Sequence, residues 1–205
     1  MDELRDAEAV RAHYGEPSHM SKAKQLDHLD AHCKAFIQLS PFVVMATTDA
    51  AGRADASPRG DRPGQVAMVI DDKTLIIPDR VGNRRTDTIN NICENPHVGL
   101  LFMVPGINET LRVNGTVRVV ISPSSLEPLA FEGKMPMSGF VVTADEVFFH
   151  CGKPLIRSEL WNPERRLSRE RFPSLGKILA DQIAGDKTAE EFEQGIDEQY
   201  RTRLY

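Results

Sequence analysis

The sequence predicts an antiparallel β-barrel with helical ends, a mainly β protein of the α+β kind. Three observations carry this expectation. Roughly six to eight short strand-like runs fall between residues 42 and 152. Turn signals separate them at close intervals. Long amphipathic segments of the kind that cross over between parallel strands are missing from that interval, which disfavours a βαβ architecture. The pattern fits a closed or a partly closed barrel.

Composition bounds the answer further. A chain of 205 residues, 40% hydrophobic and 27% charged, suits one sizeable core with decoration. A formal net charge of −5 argues against general nucleic-acid binding, which uses a basic face, yet leaves room for one local basic pocket. Cys33, Cys93 and Cys151 are odd in number and lack CxxC spacing, so they read as free thiols and not as a disulfide framework or a zinc site. The charged start, Met1-Asp-Glu-Leu-Arg-Asp, has no apolar core of a secretory signal. No apolar run approaches the roughly 18 residues of a membrane span. The expectation is a cytoplasmic protein with neither membrane nor nucleic-acid partners.

Taken in order, residues 2–12 place Leu4, Ala7 and Val10 at loose helical spacing, and Gly15 with Pro17 ends that piece. A second helix is expected from Ser21 to about Gln38, with Leu26, Leu29, Cys33, Phe36 and Ile37 near one face and Pro41 as its stop. On it His28 and His32 would be four apart, but no HExxH pattern accompanies them and a solvated face is the better reading. These first 40 residues form a helical segment before the barrel. Phe42–Thr48 is rich in strand formers and runs into the turn Asp49-Ala-Ala-Gly52. The next strand starts near Arg53 and enters Ser57–Asp61. Val66–Ile70 is a further apolar run, and Lys73–Ile77 a short strand after Asp71-Asp72. Asp87–Glu94 suits a short helix that turns Ile89 and Ile92 inward and breaks at Asn95-Pro96. Val98–Val104 is apolar enough for burial on both faces. Thr110–Ile121 alternates around Asn114-Gly115, which marks either a hairpin or a glycine bulge in one long strand. Ser122–Ser125 begins a short helix, residues 133–139 are irregular, and Phe140–Thr143 and Val147–Cys151 are the last strands. A charged extension over 158–205 carries helices at Leu175–Ile183 and near Glu190–Tyr200.

Unusual chemistry concentrates in two stretches, Ala54-Asp-Ala-Ser-Pro-Arg-Gly-Asp61 and Leu75-Ile-Ile-Pro-Asp-Arg-Val-Gly-Asn-Arg-Arg85. A strand stops at Pro78, passes a glycine turn and reaches two adjacent arginines ahead of a helix. At such a junction Arg84 and Arg85 can share one phosphate, because helix N-terminal N–H groups and the dipole add to two guanidinium groups. The alternative is a solvated surface pair. Arg59 is a second cation nearby. Asp79 either accepts from a heterocycle N–H or stabilises the turn, and Asp87 suits the first turn of a helix on capping grounds alone. Arg59-Gly60-Asp61 spells an integrin-type tripeptide, a coincidence in a chain without a visible secretory signal. Gly133-Lys134 lacks the rest of a Walker A loop, and neither GxGxxG nor GxSxG occurs. His150 and Cys151 are strand neighbours facing opposite sides, so they do not form a dyad. Trp161 suits an interface or the core better than cofactor stacking.

The order of these features resembles the pyridoxamine 5′-phosphate oxidase-like FMN-binding family, in particular its branch of FMN-dependent enzymes of unassigned substrate. The resemblance rests on Ala46-Thr-Thr-Asp-Ala-Ala-Gly52, Ala-Ser-Pro-Arg, Leu-Ile-Ile-Pro-Asp-Arg-x-Gly-Asn-Arg-Arg and Asn91-Ile-Cys-Glu-Asn-Pro-His-Val-Gly-Leu-Leu-Phe102, and covers roughly residues 35–157. It implies a split β-barrel over 41–157 that forms a homodimer, with FMN at the subunit interface and a small-molecule substrate. Asn83, Arg84 and Arg85 fall on the family's phosphate-binding Ser-Arg-Lys, and Pro78 and Asp79 on a Tyr-Thr pair at the strand end near the flavin. Thr110 falls on a cofactor-contacting glutamine, which favours Gly115 as a bulge in a continuous strand. Ser57 and Arg59 lie where the family has Arg-x-Val-Leu-Leu-Lys, a motif this chain lacks. The family's partner-subunit tryptophan aligns with Phe149, and Arg157 stands in for the arginine after it. The pattern of B6-substrate residues is thus incomplete, and FMN binding is implied more firmly than B6 oxidation. Same-fold alternatives are a non-catalytic flavin sensor, a deazaflavin F420 enzyme and a haem-binding relative.

Overall fold

Period-two burial organises the molecule, since strands that bury every second residue close a core between them. The computed structural model describes residues 3–205, so Met1 and Asp2, at the start of the first expected helical piece, lie outside the described residues. Strands β1 (Phe42–Thr48), β2 (Ala54–Gly60), β3 (Met68–Val69), β4 (Thr74–Asp79), β5 (His97–Met103), β6 (Thr110–Val120) and β7 (Ser138–His150) form one sheet in the order β2-β1-β5-β6-β7-β4-β3. Every pairing is antiparallel. Val43 of β1, Leu100 and Phe102 of β5, Val113 of β6, Phe140 of β7 and Leu75 of β4 are buried in a single cluster. Strands from both ends of the order therefore face one interior, and the sheet is rolled. No ladder joins β2 to β3 or β4, so the barrel is split, not closed. This is the expected mixed α+β barrel.

Helices α1 (Ala7–Tyr14), α2 (His19–Ala23), α3 (Ala31–Leu39), α4 (Asp87–Glu94), α5 (Pro123–Leu126), α6 (Lys153–Ser158), α7 (Leu175–Gln182) and α8 (Ala189–Thr202) decorate it. Among the described residues no helix is long and apolar enough to cross a membrane. The helix α4 has the expected bounds, and it buries Ile92 with Ile89 packed at the margin of the core.

Four expectations need correction. The single helix over 21–38 is two helices separated by extended backbone. Leu26 exchanges both backbone bonds with Val147 of β7 (2.9 and 2.8 Å), and the Asp30 carboxylate caps α3 by accepting from Cys33 N (2.8 Å). Leu29 is buried from that extended segment, which explains why the apolar spacing mimics one helix. His28 and His32 consequently share no helix. The run Val66–Ile70 contributes only the two-residue β3, Val66 and Ala67 being buried in the connection before it. In β5, Val98, Leu100 and Phe102 are buried while Gly99, Leu101 and Met103 are half-buried, because only one face lines the interior.

In the β6–β7 pair, β7 also differs from expectation. Thr110–Val120 is one continuous strand, with an irregularity at Asn114/Gly115, as the bulge reading holds. The two final strands expected at 140–143 and 147–151 are instead one strand of 13 residues. Register passes from Asn114↔Glu146 to Gly115↔Ala144, so the extra residue is Asp145, in β7 opposite the glycine. A Cβ built on Gly115 would stand 1.9 Å from the Thr143 carbonyl oxygen, which is backbone and cannot step aside. Gly115→Ala is therefore expected to cost about 3 kcal/mol or more in urea unfolding. Gly195→Ala, in α8 with open space around it, should instead stabilise by about 0.5–1 kcal/mol. Equal effects at the two glycines would contradict the bulge geometry.

Candidate functional site

At the end of β4 the chemistry-bearing residues begin to converge. Beyond Leu75 and Ile76 that strand has no ladder partner on its β3 side, the setting in which a strand tolerates a proline. Pro78 is buried opposite Gly139, and Asp79 follows opposite Ser138. From β2, Asp55, Ser57 and Arg59 are half-buried while Ala54, Ala56 and Pro58 are exposed. Ladder partners share a face, so Arg59 opposite Val43 points into the barrel. Its guanidinium lies over the Phe140 ring (4.9 Å to the centroid) and donates through Nη1 to Asp79 Oδ1 at 2.6 Å. The other Asp79 oxygen accepts from Ser138 Oγ (3.2 Å). Both acceptors of Asp79 are thus engaged inside the chain. Arg59 Nε remains buried with no acceptor, a state that costs free energy unless a ligand completes it.

Residues 81–86, between β4 and α4, are exposed, as is Asp87 at the start of α4. Asn83 Oδ1 accepts from Arg85 N (3.1 Å), and Arg85 Nε donates to Asp87 Oδ2 (2.8 Å). Arg84 and Thr86 have φ of 62° and 58°, left-handed conformations that non-glycine residues seldom adopt. Thr86 caps α4 without a side-chain bond to its first turn, its hydroxyl donating instead to Arg85 O (2.7 Å). The first amides of α4 therefore lack a side-chain acceptor, and the loop that leads into them carries Arg84 and Arg85. Thr88 Oγ1 donates to Asp55 Oδ2 (3.3 Å) and Asn91 Nδ2 to Thr47 Oγ1 (3.1 Å), which fixes α4 against β2 and β1. Ser57, Arg59, Pro78, Asp79, Asn83, Arg84 and Arg85 thus lie on two strands and one loop that these contacts tie together.

Thr110 and Arg157 do not join that group within one chain. Leu111, Phe102, Val43 and Arg59 share one ladder level and point inward. Thr110, one residue on, is buried on the outer wall, about three strand spacings or roughly 14 Å away. Arg157 is exposed on α6. Phe149 points inward, edge-on to Phe36 at 5.3 Å, while its neighbours Phe148 and His150 face out. Burial, then Arg112 and Lys24, pull the His150 pKa down, which keeps its ring neutral at neutral pH. Trp161 donates Nε1–H to Ile107 O (2.9 Å) and so anchors the segment after α6 to the turn before β6.

A cavity of about 350 Å³ lies beside Phe149, with Cys33 on its wall. Burial pushes that thiol up to about 12, so it supplies no thiolate. A shallower groove of about 500 Å³ crosses the outer wall over Ala46, Gly99 and Gly115. Sequence reasoning missed the roles of Asp55, Asp61 and Arg80. Asp61 accepts from Arg80 Nε (2.8 Å), and its side chain is 1% exposed. Alternation along β2 could have flagged Asp55; for the Asp61–Arg80 pair no local signal exists.

Residues 29–151 match the family model described as pyridoxamine 5′-phosphate oxidase. The chain belongs to that family. No curated protein matches it. Among solved structures it is similar to a variant of HupZ from Group A Streptococcus, at 19% identity over 60% of this chain and 99% of that one, with a TM-score of 0.49. A candidate pyridoxamine 5′-phosphate oxidase from Lactobacillus delbrueckii gives 22% identity, 61% and 98% coverage and a TM-score of 0.48. A pyridoxamine 5′-phosphate oxidase-related, FMN-binding protein from Nostoc punctiforme gives 14%, 56% and 76%, and 0.37.

The Arg59–Asp79 pair is open to direct test. Its side chains are only 18% and 21% exposed, so Arg59→Ala, which strands Asp79, should cost about 3 kcal/mol in chemical unfolding. The double variant Arg59→Met, Asp79→Leu should recover most of that loss, because it removes both charges and keeps volume. A neutral Arg59→Ala would show that the pair holds nothing together.

Proposed function

We propose that the chain is a homodimeric flavoprotein that holds FMN beside β2, β4 and the 80–87 loop and passes electrons between it and a small organic molecule. The observation that carries this reading is the anion cradle: two arginines in a loop with left-handed turns, at a helix start whose amides lack a side-chain cap. The donor set suits a phosphate monoester, and the buried, unpartnered Arg59 Nε suits an acceptor placed over the barrel end. Membership of the oxidase family supports flavin as the group that carries the phosphate.

In this reading Arg84 and Arg85 bind the phosphate, and Asn83 shapes the loop while reaching the phosphate or the ribityl chain. Asp79 holds Arg59 in place, and Ser57, Arg59 and Pro78 line the flavin's neighbourhood. Thr110, on the outer wall, and Arg157, exposed on α6, serve from the second subunit. When bound, FMN supplies the redox chemistry at its ring system, and the protein supplies anchoring, orientation and exclusion of competing reactions. Transfer of this kind to or from the flavin asks for no general acid or base from the chain. The cytoplasm is the compartment that suits three free cysteines.

Extraction and mass identification of the copurified cofactor test the proposal. FMN is expected, with the purified protein yellow and its melting temperature raised by added FMN. Arg84→Ala and Arg85→Ala should each weaken FMN roughly 10- to 100-fold, the worth of a charge-assisted bond. NADH and NADPH should then be tried as reductants of the bound flavin. Colourless protein with no FMN-induced thermal shift, or unchanged affinity in both variants, would refute the assignment.

A further inference from the structure

The segment after α8 ends against the root of the loop assigned above to the phosphate. Tyr205 donates its hydroxyl to Asp61 Oδ1 at 2.9 Å, and the Tyr205 ring packs on Phe131 with centroids 4.5 Å apart. Asp61 is otherwise held by Arg80 Nε on Oδ2 (2.8 Å) and by Arg62 N on Oδ1 (2.8 Å). Arg80 is the first residue after β4. Its guanidinium also donates to Leu129 O (2.9 Å) and lies 5.6 Å from the centre of the Tyr205 ring. Arg62 stacks on the other member of the aromatic pair, Phe131, at 4.7 Å. The result is a small plug in which one aromatic hydroxyl covers a buried carboxylate–guanidinium pair.

The position of that pair gives the plug its consequence. Residues 81–87 are exposed, and the side-chain contacts within them, Asn83 to Arg85 and Arg85 to Asp87, are local. The start of the loop is therefore fixed by what fixes Arg80. Arg80 makes two side-chain bonds, to Asp61 and to Leu129 O; its Nη2 is buried without a partner, and the Tyr205 ring lies over the guanidinium. An ion pair kept from water is stronger than one that water reaches, so the grip on Arg80 depends on whether Tyr205 is seated. Burial, then donation to Asp61, raises the tyrosine pKa, which keeps the phenol protonated as donor at neutral pH.

We infer that Tyr205 is a positioning residue for the phosphate loop: by sealing the Asp61–Arg80 pair it sets the entry of residues 81–87, so the α7–α8 extension controls how tightly the cofactor's phosphate is held. This rests on the FMN reading above. It concerns a residue outside the matched span 29–151, and it gives the C-terminal extension a function at the site.

Paired titrations with FMN and with riboflavin, which lacks the phosphate, separate the possibilities. Flavin fluorescence quenching would be followed for the wild type, Tyr205→Phe and Tyr205→Ala. Tyr205→Ala should weaken FMN roughly tenfold and leave riboflavin affinity unchanged. Tyr205→Phe, which keeps the ring over Arg80, should fall between Tyr205→Ala and the wild type. A loss shared equally by FMN and riboflavin would mean a general structural role and would overturn the inference. So would an unchanged FMN affinity in Tyr205→Ala alongside a clear wild-type preference for FMN. A wild type with no preference for FMN over riboflavin would remove the phosphate reading itself, and the inference with it.

Discussion

Strands β2 and β4 share no backbone ladder, yet Arg59 of one reaches Asp79 of the other at 2.6 Å across the mouth of the barrel. A rolled sheet that stops short of closure leaves an unpaired edge on each side of the gap. Here side chains bridge the gap. The Arg59 guanidinium caps the buried Phe140 ring while its charge meets a carboxylate that Ser138 also holds. A second pair, Arg80 with Asp61, repeats the crossing one residue beyond the strand. Both pairs lie mostly out of water, where an unmatched charge is far more costly than a matched pair is favourable. They define where the barrel ends more firmly than they add stability.

That constraint explains the placement of the candidate site. A loop leaving β4 between two such pairs starts from a fixed point, and α4 fixes its other end through Thr88 on Asp55 and Asn91 on Thr47. Between those anchors the chain can hold Arg84 and Thr86 in left-handed conformations and leave the first amides of α4 uncapped by a side chain. Left-handed strain and open helix amides are both unfavourable in isolation. Their coincidence at one cationic loop is the observation on which the proposed anion site rests. In the function proposed above, family membership suggests a flavin phosphate as that anion, and Thr110 on the outer wall would serve from a second subunit.

Much of this is legible in the sequence, and the failures have physical reasons. The loop after β4 and α4 can be read because Pro78, the paired arginines and Asn95-Pro96 are local punctuation. The strands can be read because β-branched and apolar residues concentrate in them. The helix expected over 21–38 is too long because Leu26 and Leu29 satisfy helical spacing while being buried from an extended bridge to Val147. The two last strands merge because the bulge at Asp145 is accommodated by Gly115 on the neighbouring strand, a long-range fact that no local pattern encodes. Arg59 and Asp79 are each visible as candidates, but their bond spans most of the strand order and has no local trace. Tyr205 lies further still from Asp61 in sequence, and only the fold brings them together.

The proposed anion cradle for a flavin phosphate lies in the loop between β4 and α4. A crystal structure of the protein grown with FMN tests it most directly. The phosphate is expected against the first amides of α4 and the guanidinium groups of Arg84 and Arg85, with the Arg59–Asp79 pair intact beneath the flavin. A flavin bound elsewhere, or one whose phosphate points into solvent away from that loop, would contradict it.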